Sequence, residues 1–182
     1  MAEKYCAFLR GINVNGISIK MDTLKEAFCK MNFTDVKTVL ATGNVIFSVP
    51  EGNYGRQELK ESIEKGLGEY FGYDAHIILQ SSAEIEEIYS AAQAITVPEG
   101  CHQYFLFCDD PAVLPELGQL FDSTRHMPQE QFIPARHGAF WIVPKGSTLE
   151  SDFGSKVLGK QKYKNKLTSR NINTVEKICK LL

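Results

Sequence analysis

Several features that would assign a chain to a specialised class are rare or missing among these 182 residues. The five cysteines are scattered and form no Cys-x-x-Cys pair, which argues against a disulfide framework and a zinc ribbon. No apolar run approaches the roughly eighteen residues of a membrane-spanning helix. The first residues, Met1–Lys4, carry no charged-then-apolar leader. We therefore expect a cytoplasmic protein with reduced thiols, no membrane partner and no signal peptide.

An excess of charge of one sign is also missing. The chain has 20 basic and 22 acidic residues, a net charge of −2, and a pI of about 6.1. A protein that coats nucleic acid as a polycation is excluded by this balance, so any basic surface must be local. The composition is 43% hydrophobic and 10% aromatic, which is typical of a globular protein and argues against disorder.

The first half of the chain alternates between strand and helix patterns. Apolar residues at helical spacing predict a helix that begins near Met21, with Asp22 as its cap, and a second helix over residues 59–71. The turn at residues 41–44 joins two strands, and Gly43 and Asn44 can adopt positive φ there. Four strands are predicted, at Tyr5–Leu9, Val36–Leu40, Asn44–Ser48 and Ala75–Leu79. The order β-α-β-β-α-β is that of a ferredoxin-like plait, with helices on one face of an antiparallel sheet.

The second half follows a similar but looser pattern. Ser81–Glu84 matches a capping box that begins a helix. A strand, a helix, a hairpin and a last helix capped by Asn173 follow, and Pro134 confines its strand to a sheet edge. We predict an α+β protein of two plait-like halves, residues 1–81 and 82–182, helices packed on one face of each antiparallel sheet. One continuous sheet is the alternative.

The loop after the first predicted strand carries the densest polar chemistry. Arg10 has a planar fork suited to a carboxylate or phosphate, and the backbone N–H groups around Gly11 and Gly16 can form an anion-binding nest. Asn13 adds a side-chain amide. In the alternative, Arg10 pairs with an acidic side chain and the asparagines stabilise their own turn. Gly11 and Gly16 have the spacing of a Walker A loop, but Ile17 and Ser18 stand where it needs Lys and a hydroxyl.

Three motifs together resemble a known family. They are Leu9–Gly16, Thr42–Phe47 and Thr168–Thr174, which lie near the start, the quarter point and the end of the chain. Taken in this order, they resemble a bacterial family catalogued as domain of unknown function 1697. The resemblance implies a cytoplasmic α+β protein built from ferredoxin-like plaits, and it implies no activity, substrate or catalytic residue. We expect a site, if there is one, to include the Arg10 loop, Gly43 and Asn44, and the last motif.

The last motif raises the same anion hypothesis. Arg170 and Asn171 come just before the helix that Asn173 is predicted to cap, where a positive helix end favours anions. If this helix packs near the end of the first strand, Arg10 and Arg170 converge on one pocket, and an anion would offset the cost of two buried cations. The alternative is a capping box of Asn173 with Glu176 and a structural ion pair at Arg170.

A second basic feature is a lysine run without acids near the C-terminus. Such a run favours binding to the phosphate backbone of a nucleic acid, and Tyr163 is the only aromatic residue within it. Solvated surface is the commoner explanation of such a run. Tyr5, Phe8 and Phe47 are the candidate stacking residues on the central strands, but the RNA-recognition signature is absent, and core packing explains them equally well. The lysines of the run are Lys160, Lys162, Lys164 and Lys166.

No catalyst can be identified from the sequence. The histidines and cysteines lack metal-ligand spacing, and no Ser-His-Asp or paired-carboxylate arrangement is present. Four of the thiols, Cys6, Cys29, Cys108 and Cys179, fall in apolar runs, where a thiol is typically inert. We expect no metal and no cofactor. The preferred function is binding of a small phosphate- or carboxylate-bearing ligand, with a nucleotide or nucleic acid included. The alternatives are an enzyme of unknown reaction and a protein-interaction module.

Overall fold

The computed structural model describes residues 2–10, 12, 18–50, 55–163 and 165–182. Within these ranges the chain forms eight strands and five α-helices, together with a π-helical and a 3-10 segment. In chain order the elements are β1 (Glu3–Arg10), α1 (Met21–Lys30), β2 (Thr34–Val39), β3 (Asn44–Val49), α2 (Arg56–Phe71), β4 (His76–Ser81), α3 (Ser82–Gln93), β5 (Cys101–Cys108), α4 (Val113–Ser123), β6 (Gln131–Ala135), β7 (Gly138–Pro144), the π-helical Phe153–Leu158, the 3-10 Gln161–Tyr163, β8 (Leu167–Asn171) and α5 (Ile172–Cys179).

The chain divides into two compact units. The first unit is residues 1–86 together with 176–182, and the second is residues 87–175. Within the first unit, the ammonium of Lys4 donates to the backbone carbonyl of Leu182, and that of Lys37 donates to the carbonyl of Leu181 at 3.4 Å. The last residues of the chain therefore bond to the N-terminal sheet. The sequence-based halves at 1–81 and 82–182 stay a prediction.

The sheet of the first unit has the strand order β2-β3-β1-β4, and every neighbouring pair is antiparallel. Alternate residues of β1, Tyr5, Ala7 and Leu9, lie in the core cluster, as the period of two in a strand requires. Phe47 is the centre of this core, with ring centroids 4.7 Å from Phe33 and 6.1 Å from Tyr5. Buried residues of α1 and α2, Leu24, Ala27, Phe28, Leu59, Ile63 and Leu67, belong to the same cluster.

The sheet of the second unit repeats this topology, with the order β6-β7-β5-β8 and antiparallel pairing throughout. Its core contains Trp141, Phe153 and Tyr163 together with residues of α4. The π-helical segment stands where the first unit has α2. The α+β fold with two similar plait-like halves is therefore confirmed, and Pro134 lies on an edge strand, as expected.

The strand β8 was not foreseen, because the sequence predicted a helix as the next element after the second hairpin. Leu167–Asn171 pairs with β5, with Leu106 opposite Ser169 and Cys108 opposite Leu167. Only Leu167 and Thr168 of this strand are buried. An edge strand can be this poor in apolar residues, since backbone hydrogen bonds to β5 hold it along one side.

The predicted helix caps have different outcomes. The capping box of α3 is confirmed, because the Ser81 N–H donates to Glu84 Oε2 at 2.8 Å and the Glu84 N–H donates to Ser81 Oγ at 3.3 Å. The cap at Asp22 is wrong: α1 begins at Met21, the cap position is Lys20, and Asp22 lies in the first turn. An acid in the first turn still interacts favourably with the helix dipole.

Candidate functional site

Arg10 is the last residue of β1, a central strand of the first sheet. It lies opposite His76 of β4 and shares a face with Phe8, the face away from the helix-packed residues. The side chain is half-buried, and burial lowers the pKa of its guanidinium. A cation partly withdrawn from water favours an anion beside it. The predicted partners Gly11, Asn13 and Gly16 lie outside the described residues.

His76 places a second ionisable group next to Arg10. Its Nε2 lies 3.0 Å from Asp74 Oδ2, and its Nδ1 lies 4.0 Å from Glu64 Oε1. Glu64 Oε1 also accepts the backbone N–H of Ile77 at 2.9 Å. This end of the sheet therefore combines a permanent cation with an imidazole that two carboxylates contact.

Gly43 joins the β2–β3 turn to the end of β1. Its carbonyl accepts the N–H of Leu9 at 2.7 Å, and its φ is +70°. A Cβ on Gly43 would lie 2.4 Å from Cδ1 of Ile12 and 3.0 Å from Cβ of Leu9. The glycine is needed both for its backbone conformation and for this close approach, which sets the turn directly beside the Arg10 strand end.

The side chain of Asn44 makes hydrogen bonds that stabilise the turn. It is fully buried, and its Nδ2 donates to the carbonyl of Val39 at 2.8 Å and to Oγ1 of Thr42 at 2.9 Å. In this turn Gly43 and Leu40 adopt positive φ, whereas Asn44 is the first residue of β3. These bonds hold the hairpin turn in which Gly43 lies.

In the last motif, the helix cap falls on a different asparagine from the predicted one. Asn171 Oδ1 accepts the N–H of Asn173 at 3.0 Å, and α5 begins at Ile172. The cap is therefore Asn171, and the prediction of Asn173 is wrong, since an Asx turn needs the acceptor two residues before the donor.

Arg170 lies in β8, and its Nη1 donates to Thr168 Oγ1 at 2.6 Å and to the carbonyl of Ser169 at 2.8 Å. These contacts show that its own strand already supplies acceptors for the guanidinium. Arg10 belongs to the first unit and Arg170 to the second. Their convergence stays a prediction.

The lysine run is less basic in the fold than in the sequence. Lys162 forms an ion pair with Glu116, and Lys166 Nζ lies 3.6 Å from Asp110 Oδ2. Both acids come from the region of α4, far from the lysines along the chain. Lys164 lies outside the described residues, and Lys160 contributes to the positive potential at Glu116.

The aromatic residues that could stack on bases are in the core. Tyr163 is 2% exposed, and its hydroxyl donates to Glu116 Oε1 at 2.7 Å. Burial and this bond raise the pKa of its phenol. Tyr5, Phe8 and Phe47 are buried as well. None of these four rings presents a face to a nucleotide.

The ionisable groups that metal or thiol chemistry would need are dispersed. In the described part of the chain, no group of three or more His, Cys, Asp or Glu side chains could hold a metal ion. Burial raises the pKa of the Cys108 thiol to about 12, in line with an inert thiol. Cys29, in contrast, is exposed on α1.

Sequence reasoning missed a buried carboxylate in the second unit. Glu130 is 8% exposed, and its Oε1 accepts Trp141 Nε1–H at 2.9 Å and Ser151 Oγ–H at 2.6 Å. Its Oε2 accepts the backbone N–H of Met127 at 2.9 Å. We call Glu130, Trp141, Ser151 and Met127 the Glu130 network. The sequence signal for it is weak, because a single Glu before a strand is usually a surface residue.

The comparisons with known proteins agree with this fold. The sequence profile of DUF1697, described as a protein of unknown function, matches residues 2–137. The chain belongs to the DUF1697 family. The family resemblance inferred from the three motifs is therefore confirmed, and no curated protein matches this DUF1697 chain.

Among solved structures, the DUF1697 chain is similar to "conserved bacterial protein SP0830 from Streptococcus pneumoniae". The TM-score is 0.78 and the sequence identity 19%, over 100% of this chain and 99% of the other. This likeness shows the fold alone. Within the described residues of the DUF1697 chain, every helix is too short or too polar to cross a membrane.

Proposed function

We propose that this protein binds a small phosphate- or carboxylate-bearing ligand through Arg10 at the end of β1. The observation that carries the proposal is a half-buried guanidinium at the end of a central strand, whose pKa burial lowers. A guanidinium can pair with a carboxylate or phosphate in bidentate geometry, and partial burial strengthens such a contact. The carbonyl of Gly43 accepts the N–H of Leu9, the residue before Arg10. The turn that contains Gly43 therefore forms the adjoining wall of the proposed site.

The wider site is supported by sequence as well as by geometry. The N–H groups around Gly11 and Gly16 and the amide of Asn13 remain proposed donors, on the argument that a glycine- and asparagine-rich loop forms an anion nest. Asn44 acts in this proposal by holding the turn through Val39 and Thr42.

A small ligand is favoured over a nucleic acid. Counterion release needs several lysines that are available to phosphates, and Lys162 and Lys166 already contact Glu116 and Asp110. Tyr163 is buried, so the lysine run offers no stacking surface. If the protein bound single-stranded nucleic acid, with an affinity that fell steeply as the salt concentration rose, a nucleic-acid ligand would be favoured instead.

The test is a thermal-shift screen with inorganic phosphate, sugar phosphates, nucleotides and dicarboxylates. A ligand at a hundred times its dissociation constant adds about 2.7 kcal/mol. For a chain of this size, that should raise the melting temperature by roughly 5–10 °C. We expect one anion class to raise the melting temperature of the wild type. The increase should be smaller for Arg10→Lys, which lacks the planar guanidinium, and absent for Arg10→Gln.

The matched control is Arg136→Gln, which removes an exposed guanidinium from the turn between β6 and β7. It should keep the full shift. The proposal fails if no anion stabilises the wild type, or if Arg10→Gln retains the shift of the control.

A further inference from the structure

The second unit contains a cavity of about 270 Å³ between two loops. This volume lies just below the range of roughly 300–1,000 Å³ for drug-sized ligands, so it suits a smaller molecule. The first loop, between α4 and β6, contributes Arg125, His126, Met127 and Pro128, and the second loop, before the π-helical segment, contributes Glu150 and Asp152.

The two walls of the cavity carry opposite charges. Arg125 has no hydrogen bond or ion pair with any residue that the structure describes, and His126 has a ring contact with Phe121 at a centroid distance of 4.2 Å. On the opposite wall, Glu150 Oε2 accepts the hydroxyl of Ser147 at 3.2 Å. A permanent cation and a carboxylate therefore line one small space.

Asp152, the second acid of that wall, is partly neutralised. Its Oδ1 lies 2.9 Å from Lys156 Nζ, four residues further along the chain. Glu150 is therefore the stronger attraction for a cationic group in the cavity, and Asp152 is the weaker one.

A buried carboxylate holds the two walls at a fixed separation. Glu130 Oε2 accepts the N–H of Met127, which lines the first wall, at 2.9 Å. Glu130 Oε1 accepts the hydroxyl of Ser151, which lies between the two acids of the second wall, at 2.6 Å. A site whose walls are tied through a buried group loses little freedom on binding, which is the condition for recognising a small ligand.

From this arrangement we infer that the cavity binds a small zwitterion of the amino-acid class. The ligand carboxylate contacts Arg125, with His126 beside it, and the ligand ammonium contacts Glu150. A multiply charged anion is disfavoured by the two acids. A divalent metal is disfavoured as well, since among the described residues no group of three or more His, Cys, Asp or Glu side chains is placed to hold one. This site lies in the second unit and does not depend on the proposed site at Arg10.

Calorimetric titration of the full chain tests the inference with defined probes. The probes are glycine, β-alanine and 4-aminobutyrate as zwitterions of increasing length, butyrate as the matched anion, and butylammonium as the matched cation. We expect one zwitterion to bind at least about tenfold more tightly than either singly charged probe, because each lacks one charge-assisted contact.

Two substitutions at exposed positions test the contribution of each wall separately. Arg125→Gln and Glu150→Gln should each weaken zwitterion binding by about tenfold or more. The matched controls, Arg136→Gln and Glu99→Gln, remove exposed charges elsewhere in the second unit and should leave binding unchanged. Far-UV circular dichroism checks that each variant is folded.

The inference is overturned if none of the zwitterions binds, if butyrate binds as tightly as the zwitterions, or if the controls lose as much affinity as Arg125→Gln. Its outcome is independent of Arg10, because Arg10→Gln should retain full zwitterion binding even if the anion proposal fails.

Discussion

The Glu130 network allows a sharp prediction, because a single isosteric change reverses its hydrogen-bond polarity. Glu130→Gln keeps the shape of the side chain and replaces one carboxylate oxygen by an NH₂ group. All three neighbours of the carboxylate, Trp141, Ser151 and the Met127 backbone, act as donors. Whichever way the amide is oriented, its NH₂ group faces at least one donor, and at least one hydrogen bond is lost.

The expected cost follows from this geometry. With the amide oxygen toward Trp141 and Ser151, the N–H of Met127 loses its acceptor inside a site where Glu130 is 8% exposed. A buried donor without a partner costs about 1–3 kcal/mol, so we expect the free energy of unfolding to fall by about 2 kcal/mol. With a urea m-value of about 1–3 kcal/mol per molar, the unfolding midpoint falls by roughly 0.7–2 M.

The measurement is urea unfolding followed by tryptophan fluorescence. Trp141 is the single tryptophan of the chain and a member of the network, so its emission reports on the second unit. Glu99→Gln, at an exposed position, is the matched control and should keep the wild-type midpoint. The reasoning is refuted if the midpoints of Glu130→Gln and Glu99→Gln coincide at equal m-values.

Three further predictions concern other residues. Gly43→Ala should lower the free energy of unfolding by about 1–3 kcal/mol, measured by urea titration, because the φ of +70° and the 2.4 Å approach to Ile12 leave no room for a methyl group. Tyr73→Phe should raise the melting temperature, because the Tyr73 hydroxyl is buried without a hydrogen-bond partner among the described residues. Burial raises the pKa of Tyr73 to about 12, so the free energy of unfolding should fall as pH rises from about 10 toward 12, and it should fall less in the variant, which keeps only the similar effect of Tyr5. Glu87→Gln should lower the melting temperature at pH 6, and this difference should shrink as pH falls below about 4, because the His137 hydrogen bond lowers the Glu87 pKa and protonation removes the contribution.

Each of these three has an outcome that would contradict it. For the glycine variant it is an unchanged urea midpoint, which would mean that the turn relaxes freely. For the tyrosine variant it is a lower melting temperature at neutral pH. For the glutamate variant it is a difference from wild type that stays constant between pH 3 and pH 6.

The strands and helices that the sequence predicted are those with strong local periodicity. Tyr5, Ala7 and Leu9 alternate toward the core, and the Ser81–Glu84 box satisfies its own N–H groups within four residues. Both signals are local, so the sequence carries them without knowledge of the fold. The strand β8 has only two buried residues, and its partner β5 is distant along the chain, so no local pattern indicates it.

The candidate sites divide in the same way. The side chain of Arg10 and the turn at Gly43 could be singled out because their residue types are distinctive. The Glu130 network could not, since Trp141 and Ser151 lie 11 and 21 residues away from Glu130. The pairing of Lys162 with Glu116 spans 46 residues, which is why a run without acids in sequence is partly neutralised in the fold.

The discontinuous first unit has a consequence for the order of folding during synthesis. Residues 1–86 are synthesised before residues 176–182, which belong to the same unit and bond to it, as Lys4 does to the Leu182 carbonyl. At typical translation rates, residues 87–175 take roughly 5–20 s to be made. The nascent N-terminal sheet therefore waits through the synthesis of the whole second unit for its last partner. A truncation that removes residues 176–182 would therefore weaken the unit formed by residues 1–86, which lies far from the truncated segment along the chain.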